Sequence, residues 1–170
     1  MAKKEPLAEQ MLSAEDATVI PWAEARERLT GAGTHWLATV RPDGRPHVVP
    51  VGAVWLDGVV YFTTGQGTRK EKNLAHNAHC VITVADRGLD VVVEGAAAKV
   101  RDEAQLQRVA EVYRSNGWPV TAVRDGALDA PYSAPTTGPA PYEVYEVTPT
   151  IAFAFGTEED TATHPTRYRF

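Results

Sequence analysis

The sequence has little cysteine, no long apolar run and no excess of basic residues. Cys80 is the one cysteine among 170 residues, so no disulfide forms within the chain, as is typical of a reducing compartment. No segment approaches the ~18 consecutive apolar residues of a membrane span. The N-terminal segment MAKKEPLAEQMLSAED also lacks the apolar core of a signal peptide. We therefore expect a cytoplasmic protein with no membrane partner.

The charge balance is acidic. Lysine and arginine number 17 against 22 aspartates and glutamates, which gives a formal net charge of −5. Binding of DNA or RNA depends on a basic face that releases counterions, so we expect no nucleic-acid partner. Hydrophobic residues make up 44 % of the chain, enough for one core. We expect an N-terminal arm at residues 1–18 and a single domain at residues 19–170.

Several catalytic and metal-binding motifs are missing. There is no Gly-x-Ser-x-Gly hydrolase elbow, and the segment Gly65-Gln66-Gly67 is not a dinucleotide fingerprint. The five histidines lack the spacing of known zinc sites, so no metal ligand is predicted. Cys80 lies in an apolar segment and is expected to be buried and inert. No pair of side chains indicates a catalytic acid or base, so the catalytic residues are unknown.

Alternating apolar residues and tight turns predict a mainly β (α+β) fold. Six strands are predicted, at residues 35–41, 47–56, 59–65, 79–86, 90–102 and 142–156. Asp43-Gly44 and Asp57-Gly58 are typical turn sequences between antiparallel strands. Three short helices are expected, one after Pro21, one after Thr68 and one at residues 102–115. Six antiparallel strands commonly close into a barrel, since closure removes exposed edges.

Two features point to places where a ligand approaches the backbone. Pro50 interrupts the second strand and cannot donate to a ladder, so that strand is expected at an edge or to be bulged there. Residues 117–142 are rich in proline and are predicted to be a long loop, which suggests a lid or a substrate-binding segment. Trp118, in this loop, is a candidate pocket wall.

The segment GTRKEKN places cations where a helix begins. Thr68 is a suitable N-cap and Glu71 follows at the capping-box spacing, so Arg69 and Lys70 occupy the first turn, with Lys72 beside them. The helix dipole destabilises each cation there by roughly 0.3 kcal/mol. A bound phosphate makes the electrostatic energy of these cations favourable instead. Two interpretations remain: an anion site, or a solvated basic turn in which Glu71 neutralises one charge.

The segment WLATVRPDGRPHVVPVGAVWLDGVVYFTTGQGTRKEKNLAHNAHCVITV resembles the flavin-binding split-barrel proteins related to pyridoxamine 5'-phosphate oxidase. The resemblance implies a six-stranded antiparallel split β-barrel with a few peripheral helices. It also implies a homodimer with cofactor sites at the interface, for FMN or the deazaflavin coenzyme F420.

The resemblance assigns cofactor-binding roles to three segments. Lys70 is expected to bind the phosphate, with Thr68, Arg69 and Lys72 beside it. Thr63 and Thr64 end the strand that follows the ribityl chain. The strand that passes the ring is formed by His47, Val48, Val49, Pro50 and Val51.

The C-terminal segment departs from the family pattern. Vitamin B6 oxidases hold their substrate with an Arg-x-His pair, but this sequence has Arg167-Tyr168-Arg169. We therefore do not expect pyridoxine phosphate to be the substrate. Arg167 or Arg169 either contacts a cofactor tail or contributes surface charge.

The resemblance implies a flavin- or deazaflavin-dependent oxidoreductase that transfers hydride between the cofactor and a small organic substrate. The branch of the family favours F420 slightly over FMN. The anionic glutamate tail of F420 suits a second basic patch, for which Arg41 and Arg45 are candidates. The same site suits a non-catalytic protein that binds a flavin or another phosphorylated ligand, and a structural dimer without a ligand is a third alternative.

Overall fold

A computed structural model of the protein describes residues 5–11, 18–31, 33–86, 88–133, 136–158 and 165–170. These residues form eleven strands and three helices. The strands are β1 (Leu7–Gln10), β2 (His35–Val40), β3 (Pro46–Val51), β4 (Ala53–Leu56), β5 (Val59–Gly65), β6 (His79–Asp86), β7 (Leu89–Lys99), β8 (Ala122–Arg124), β9 (Ala127–Asp129), β10 (Tyr142–Gly156) and β11 (Thr166–Arg169). The helices are α1 (Trp22–Thr30), α2 (Arg69–His76) and α3 (Glu103–Ser115).

The predicted antiparallel split barrel is confirmed. Its ladders run from β3 through β2, β6, β7 and β10 to β5 and β4, and every pair is antiparallel. The predicted strand at residues 47–56 is divided at Gly52, because β3 pairs with β2 whereas β4 pairs with β5. The two ends of this path, β3 and β4, are thus joined by the chain at Gly52, and among the described strands no ladder pairs them. Among the described strands β3 lies at an edge, as Pro50 predicts.

Alternate residues of β5 face two different cores. Val60 and Phe62 pack inside the barrel with Leu37 of β2 and other apolar side chains. Val59 and Tyr61 face the other way and pack in the cluster that contains the apolar stripe of α3. This two-sided burial follows from the period of two along a strand, and it also separates the side chains at the end of β5.

The three helices begin close to where their sequences predict. Pro21 precedes α1, whose buried face is Trp22, Ala25 and Leu29. The Asp102 carboxylate caps α3 by accepting a hydrogen bond from the backbone N–H of Gln105 at 2.7 Å. The cap of α2 belongs to the candidate site and is described there.

The predicted loop at residues 117–142 contains a short hairpin, β8–β9, that the sequence analysis missed. β9 pairs with β10 and so extends the sheet. Its turn, Asp125-Gly126, has φ angles of 52° and 76°, close to the 52° and 80° of the predicted turn Asp57-Gly58. The Asp-Gly sequence is therefore the signal that could have revealed this hairpin.

The N-terminal segment contributes to the sheet. β1 lies within the predicted arm at residues 1–18 and pairs with β11, so residues 7–10 form a strand that the sequence analysis did not predict. The rest of the arm, at residues 1–4 and 12–17, lies outside the described residues. In the described part of the chain, no helix combines the length and apolar character needed to cross a bilayer.

Candidate functional site

The turn before α2 has the capping arrangement that its sequence predicts. Thr68 Oγ1 accepts a hydrogen bond from the backbone N–H of Glu71 at 3.4 Å and lies 2.8 Å from Thr64 Oγ1. The Glu71 carboxylate accepts a hydrogen bond from the backbone N–H of Gly67. Glu71 is therefore occupied by the backbone of its own turn and forms no ion pair with the other described residues.

Lys70 is buried, so the interpretation as a solvated basic turn does not hold for this residue. It is 1 % exposed, and its Nζ donates a hydrogen bond to the carbonyl oxygen of Thr136 at 2.7 Å. No carboxylate among the described residues forms an ion pair with it. Burial lowers the pKa of Lys70 to about 8, because desolvation disfavours the charged form. The interior thus holds an ammonium group that forms no ion pair with any described residue.

His47 on β3 meets the same group of cations. The pKa of His47 is lowered first by burial and then by the positive charges of Arg41, Lys70 and Arg69. We call Arg41, His47, Arg69 and Lys70 the basic cluster. Within the described part of the chain, none of the three cations of this cluster has an ion-pair partner. The fold therefore concentrates positive charge from β3 and α2, and from the β2–β3 turn, at one place.

Asn73 is a buried polar residue beside the cluster that the sequence analysis did not single out. It is fully buried, and its Nδ2 donates to Thr39 Oγ1 at 2.9 Å. Its Oδ1 has no hydrogen-bond partner. Asn73 follows Lys70 by three positions and so shares its helix face, which is the sequence signal that could have identified it.

A segment of the predicted 117–142 loop covers this turn. Thr136 Oγ1 donates to the carbonyl oxygen of Pro50 on β3 at 3.0 Å, while the Thr136 carbonyl accepts from Lys70. The backbone N–H of Gly65 donates to the carbonyl oxygen of Thr137 at 2.6 Å. A Cβ on Gly65 would overlap that carbonyl, so only glycine allows this approach. The segment thereby connects β3, the end of β5 and Lys70.

The predicted cofactor-binding residues are placed unevenly around the basic cluster. Thr64, Thr68, Arg69 and Lys70 come together at the turn, and Lys72 is exposed on α2. Along β3, Val51 is buried and Val48 is 55 % exposed.

The remaining three predicted residues are Val49, Pro50 and Thr63. Val49 and Pro50 are half-buried on β3. Thr63 is not brought to the cluster, since alternation along β5 places its side chain on the other side of the strand, which faces Tyr113 of α3.

Three of the four arginines considered for a second basic patch or a cofactor tail have carboxylate partners. Arg45 Nη2 lies 2.7 Å from Asp43 Oδ2 within the turn. Arg167 and Arg169 on β11 both donate to the Glu9 carboxylate on β1, and these hydrogen bonds hold the pKa of Glu9 below its usual value. The tail arginines therefore join the two terminal strands.

A cavity of about 410 Å³ lies on the Thr63 side of β5. Trp118, predicted as a pocket wall, does line this cavity, and its indole Nε1 donates to the carbonyl oxygen of Tyr132 at 2.6 Å. Tyr113 on α3 packs edge-on against Trp118, with ring centroids 4.9 Å apart. The cavity and the basic cluster are thus on different sides of the same strand.

Cys80 and the histidines add no further reactive group among the described residues. Cys80 is buried, and burial raises the pKa of its thiol to about 12. Within the described ranges, no three histidine, cysteine, aspartate or glutamate side chains lie together in a way that could hold a metal ion. His164 lies outside these ranges.

Several solved structures are similar to this chain. The chain is similar to a solved F420 reductase with 24 % identity and a TM-score of 0.53, covering 75 % of this chain and 94 % of that one. It is similar to a NimC/NimA family protein from Clostridium acetobutylicum with 20 % identity and a TM-score of 0.59, covering 79 % and 87 %. It is also similar to the FAD binding protein from Mycobacterium smegmatis, with 21 % identity and a TM-score of 0.54, covering 91 % and 100 %.

These likenesses show the fold, and no curated protein matches the sequence. The sequence profile of the pyridoxamine 5'-phosphate oxidase family matches residues 21–152, which is most of the chain. The match spans the barrel strands from β2 to most of β10 and includes the whole basic cluster. The chain therefore belongs to the pyridoxamine 5'-phosphate oxidase family.

Proposed function

We propose that the protein is an oxidoreductase that transfers hydride between a bound FMN or coenzyme F420 and a small organic substrate. The observation that carries the proposal is the buried ammonium group of Lys70, which has no carboxylate partner among the described residues. A buried charge is destabilising unless it is paired, so a ligand phosphate is a fitting counter-charge.

The residues present fit the phosphate of such a cofactor. Arg69 and Lys70 occupy the first turn of α2, where the helix dipole also favours an anion. Arg41 has a buried Nε without a hydrogen-bond partner, and its charge acts on His47 together with those of Arg69 and Lys70. The Lys70 ammonium and the Arg69 guanidinium would hold the phosphate, and Thr68 would keep the turn in place through its cap.

The ring is assigned to β3. This edge strand has backbone groups that are not taken up by a second ladder in the described part of the sheet, and Pro50 lies in its middle. A flavin or deazaflavin ring supplies the hydride chemistry when it is bound, and the chain supplies binding, orientation and exclusion of water. The backbone of Val49 and Pro50 would run beside the ring, and His47 would contribute a polar group near the basic cluster.

Both the family and the names of its structural relatives support a flavin-type cofactor. The relatives include an F420 reductase and an FAD binding protein. The choice between FMN and F420 stays open, with a slight preference for F420 from the family branch. Arg45, Arg167 and Arg169 have carboxylate partners, so Arg41 is the remaining candidate among these arginines for a contact with an anionic tail.

The cofactor site is proposed to be completed by a second copy of the chain. The outward face of β2 and β3 carries exposed apolar side chains at Trp36, Val40 and Val48, which are 44 %, 36 % and 55 % exposed. These residues adjoin the strand to which the ring is assigned. A homodimer that buries this face would cover the ring and leave a small substrate between two subunits.

The alternative function is a non-catalytic protein that binds a flavin or another phosphorylated ligand. It is favoured by the composition of the basic cluster, which is formed by Arg41, His47, Arg69 and Lys70 and includes no carboxylate. Turnover separates the two functions. A protein that binds cofactor but oxidises no reduced F420 or FMN with a panel of enones and quinones would have the alternative function.

Replacing Lys70 by alanine tests the phosphate assignment. We expect cofactor binding to weaken by about 1.5–3 kcal/mol, the scale of a charge-assisted hydrogen bond. Fluorescence titrations with FMN and with F420 measure the loss. Lys72→Ala removes an exposed charge from the same helix and should weaken binding by less than about 1 kcal/mol.

Arg101→Ala, at an exposed position outside the cluster, is the matched control and should bind as the wild type does. Unchanged affinity of a folded Lys70→Ala variant would contradict the phosphate assignment. Wild-type protein that ignores both cofactors would contradict the proposed function as a whole.

A further inference from the structure

The ammonium group of Lys70, to which the proposed function assigns the phosphate, is covered in the structure. Lys70 lies in the first turn of α2 and is 1 % exposed. A phosphate oxygen has to come within about 2.7–2.9 Å of an ammonium nitrogen to form a charge-assisted hydrogen bond. An anion does not reach that distance while the side chain is covered. A part of the protein therefore has to move before a phosphate binds, and in assigning the phosphate to Lys70 the inference rests on the proposed function.

Residues 136–139 form the cover, and we call them the strap. Thr136 is exposed, and its carbonyl oxygen accepts the hydrogen bond from Lys70 Nζ at 2.7 Å. The strap thus lies between the ammonium group and the solvent. It belongs to the segment 117–142, for which the sequence suggests a lid or a substrate-binding role.

The strap is attached firmly at Thr137 and less firmly at Thr136. Thr137 is 1 % exposed, and its carbonyl oxygen accepts a hydrogen bond from the backbone N–H of Gly65 at 2.6 Å. Thr136 is at the surface, where its hydroxyl donates to the carbonyl oxygen of Pro50 at 3.0 Å. Water can replace an exposed hydrogen bond, so this bond stabilises the closed strap only modestly. The strap therefore opens at Thr136 before it opens at Thr137.

A phosphate favours the open form because it meets Lys70 only there. In the closed form the ammonium group donates to a neutral carbonyl oxygen and forms no ion pair with any described residue. A phosphate offers charged acceptors, and charge-assisted hydrogen bonds are roughly twice as strong as neutral ones. A ligand shifts an equilibrium by the difference between its affinities for the two forms. Anion binding and opening of the strap are therefore coupled.

We propose that the strap is a lid over the phosphate site, which the hydrogen bonds of Thr136 hold closed and which an anionic ligand opens. Opening breaks the hydrogen bonds from Lys70 and to Pro50, while Thr137 stays on β5. The observed association constant of the anion is that of the open form multiplied by the fraction of molecules that are open. Loss of the Thr136 hydroxyl should therefore increase both the exposure of Lys70 and the affinity for a phosphate.

Acetylation of lysine side chains measures the opening without any cofactor. Wild-type protein is treated with acetic anhydride, and mass spectrometry gives the rates at Lys70 and at Lys72, which is exposed on the same helix. We expect Lys70 to react at least tenfold more slowly than Lys72. Burial lowers the pKa of Lys70 to about 8, which leaves more of its amine in the reactive neutral form, so a slow reaction shows that the side chain is covered. Equal rates at the two lysines would overturn the proposal.

Substitutions of Thr136 test which contact holds the strap closed. Thr136→Val removes the hydroxyl and keeps a branched side chain, so Lys70 should react at least threefold faster, with no change at Lys72. Thr136→Ser keeps the hydroxyl and should retain the wild-type rate. Thr121→Val is the matched control, because the exposed Thr121 hydroxyl also donates to a backbone carbonyl, that of Asp129, at 3.1 Å. An unchanged rate at Lys70 in Thr136→Val would refute the role of the Thr136 hydroxyl.

Titrations with FMN and with inorganic phosphate test the coupling to the ligand. We expect Thr136→Val to bind both at least threefold more tightly than the wild type does, and Thr121→Val to match the wild type. Unchanged affinities of Thr136→Val would overturn the lid, even with cofactor binding and the proposed function intact. Binding of inorganic phosphate with this threefold effect, but of neither FMN nor F420, would support the lid and contradict the proposed function.

Discussion

Lys70 brings a positive charge into the interior, where its Nζ donates to the carbonyl oxygen of Thr136. A carbonyl oxygen satisfies one of three ammonium donors and does not compensate the charge. The position is therefore unfavourable for the ligand-free protein and favourable for binding an anion. His47 has the same character, since burial and three nearby cations all lower its pKa.

Replacing Lys70 by methionine should stabilise the ligand-free protein. The pKa of Lys70 falls from 10.5 in the unfolded chain to about 8 in the folded protein. The unfolded state therefore binds more protons between pH 8 and 10.5, and this residue makes the free energy of unfolding rise with pH in that window. We expect Lys70→Met to gain about 1 kcal/mol at pH 7 and to lose this rise.

Urea unfolding of both proteins between pH 7 and 10.5 measures the difference between their free energies of unfolding. The tyrosines titrate in both proteins, so their contribution cancels in this difference. The affinity of the wild type for a phosphate-bearing cofactor should fall as pH rises above about 8, where Lys70 loses its charge. A Lys70→Met variant that is less stable than the wild type at pH 7 would mean that the Lys70–Thr136 hydrogen bond is a structural contact.

At the scale of elements, the approach of the Thr136–Pro139 segment to the end of β5 builds the site. Gly65 donates to the Thr137 carbonyl oxygen, and the Pro139 carbonyl oxygen would also lie 3.0 Å from a Cβ at this position. The segment is therefore placed by backbone contacts and by the lack of a side chain at residue 65. Its sequence is rich in proline and predicted only a loop.

Gly65→Ala should displace this segment. The added Cβ would overlap the carbonyl oxygen of Thr137, and overpacking of this kind costs about 1–3 kcal/mol. Gly52→Ala is the matched control, because nothing lies within 4 Å of a Cβ there. Thermal unfolding and cofactor titration of both variants measure the effect. Equal stability of the two variants would show that the segment can move away from the added Cβ without destabilising the protein.

At the scale of the whole molecule, the barrel has a split at Gly52 and an exposed apolar face on β2 and β3. β3 ends the described ladder path on this side, and Val48 and Trp36 point outward from it. The strand assigned to the cofactor ring is thus also the strand expected at a dimer interface. Cofactor binding and dimerisation should therefore be linked.

Val48→Glu should convert a dimer to a monomer by placing a charge on the apolar face. Light scattering after size-exclusion chromatography measures the mass, and cofactor affinity should fall by at least tenfold in the monomer. Val19→Glu, at another exposed apolar residue, is the control and should leave both unchanged. A wild-type protein that is monomeric at micromolar concentration yet binds cofactor would contradict the proposed dimer.

The sequence by itself determined the local structure of this protein. Alternation, Asp-Gly turns and the Thr68 cap depend on neighbouring residues, so β2, β5, β6, β7, β10 and the three helices were predicted close to their bounds. β3 and β4 were predicted as a single strand, because their division at Gly52 depends on which strand each one pairs with. Other features depend on residues far apart in the chain, and only the tertiary structure decided them. These are the pairing of β1 with β11, the burial of Lys70 under Thr136, and the cavity between His35 and Trp118. Local preferences act over a few residues, whereas burial and long-range pairing are properties of contacts that form only when the chain has folded.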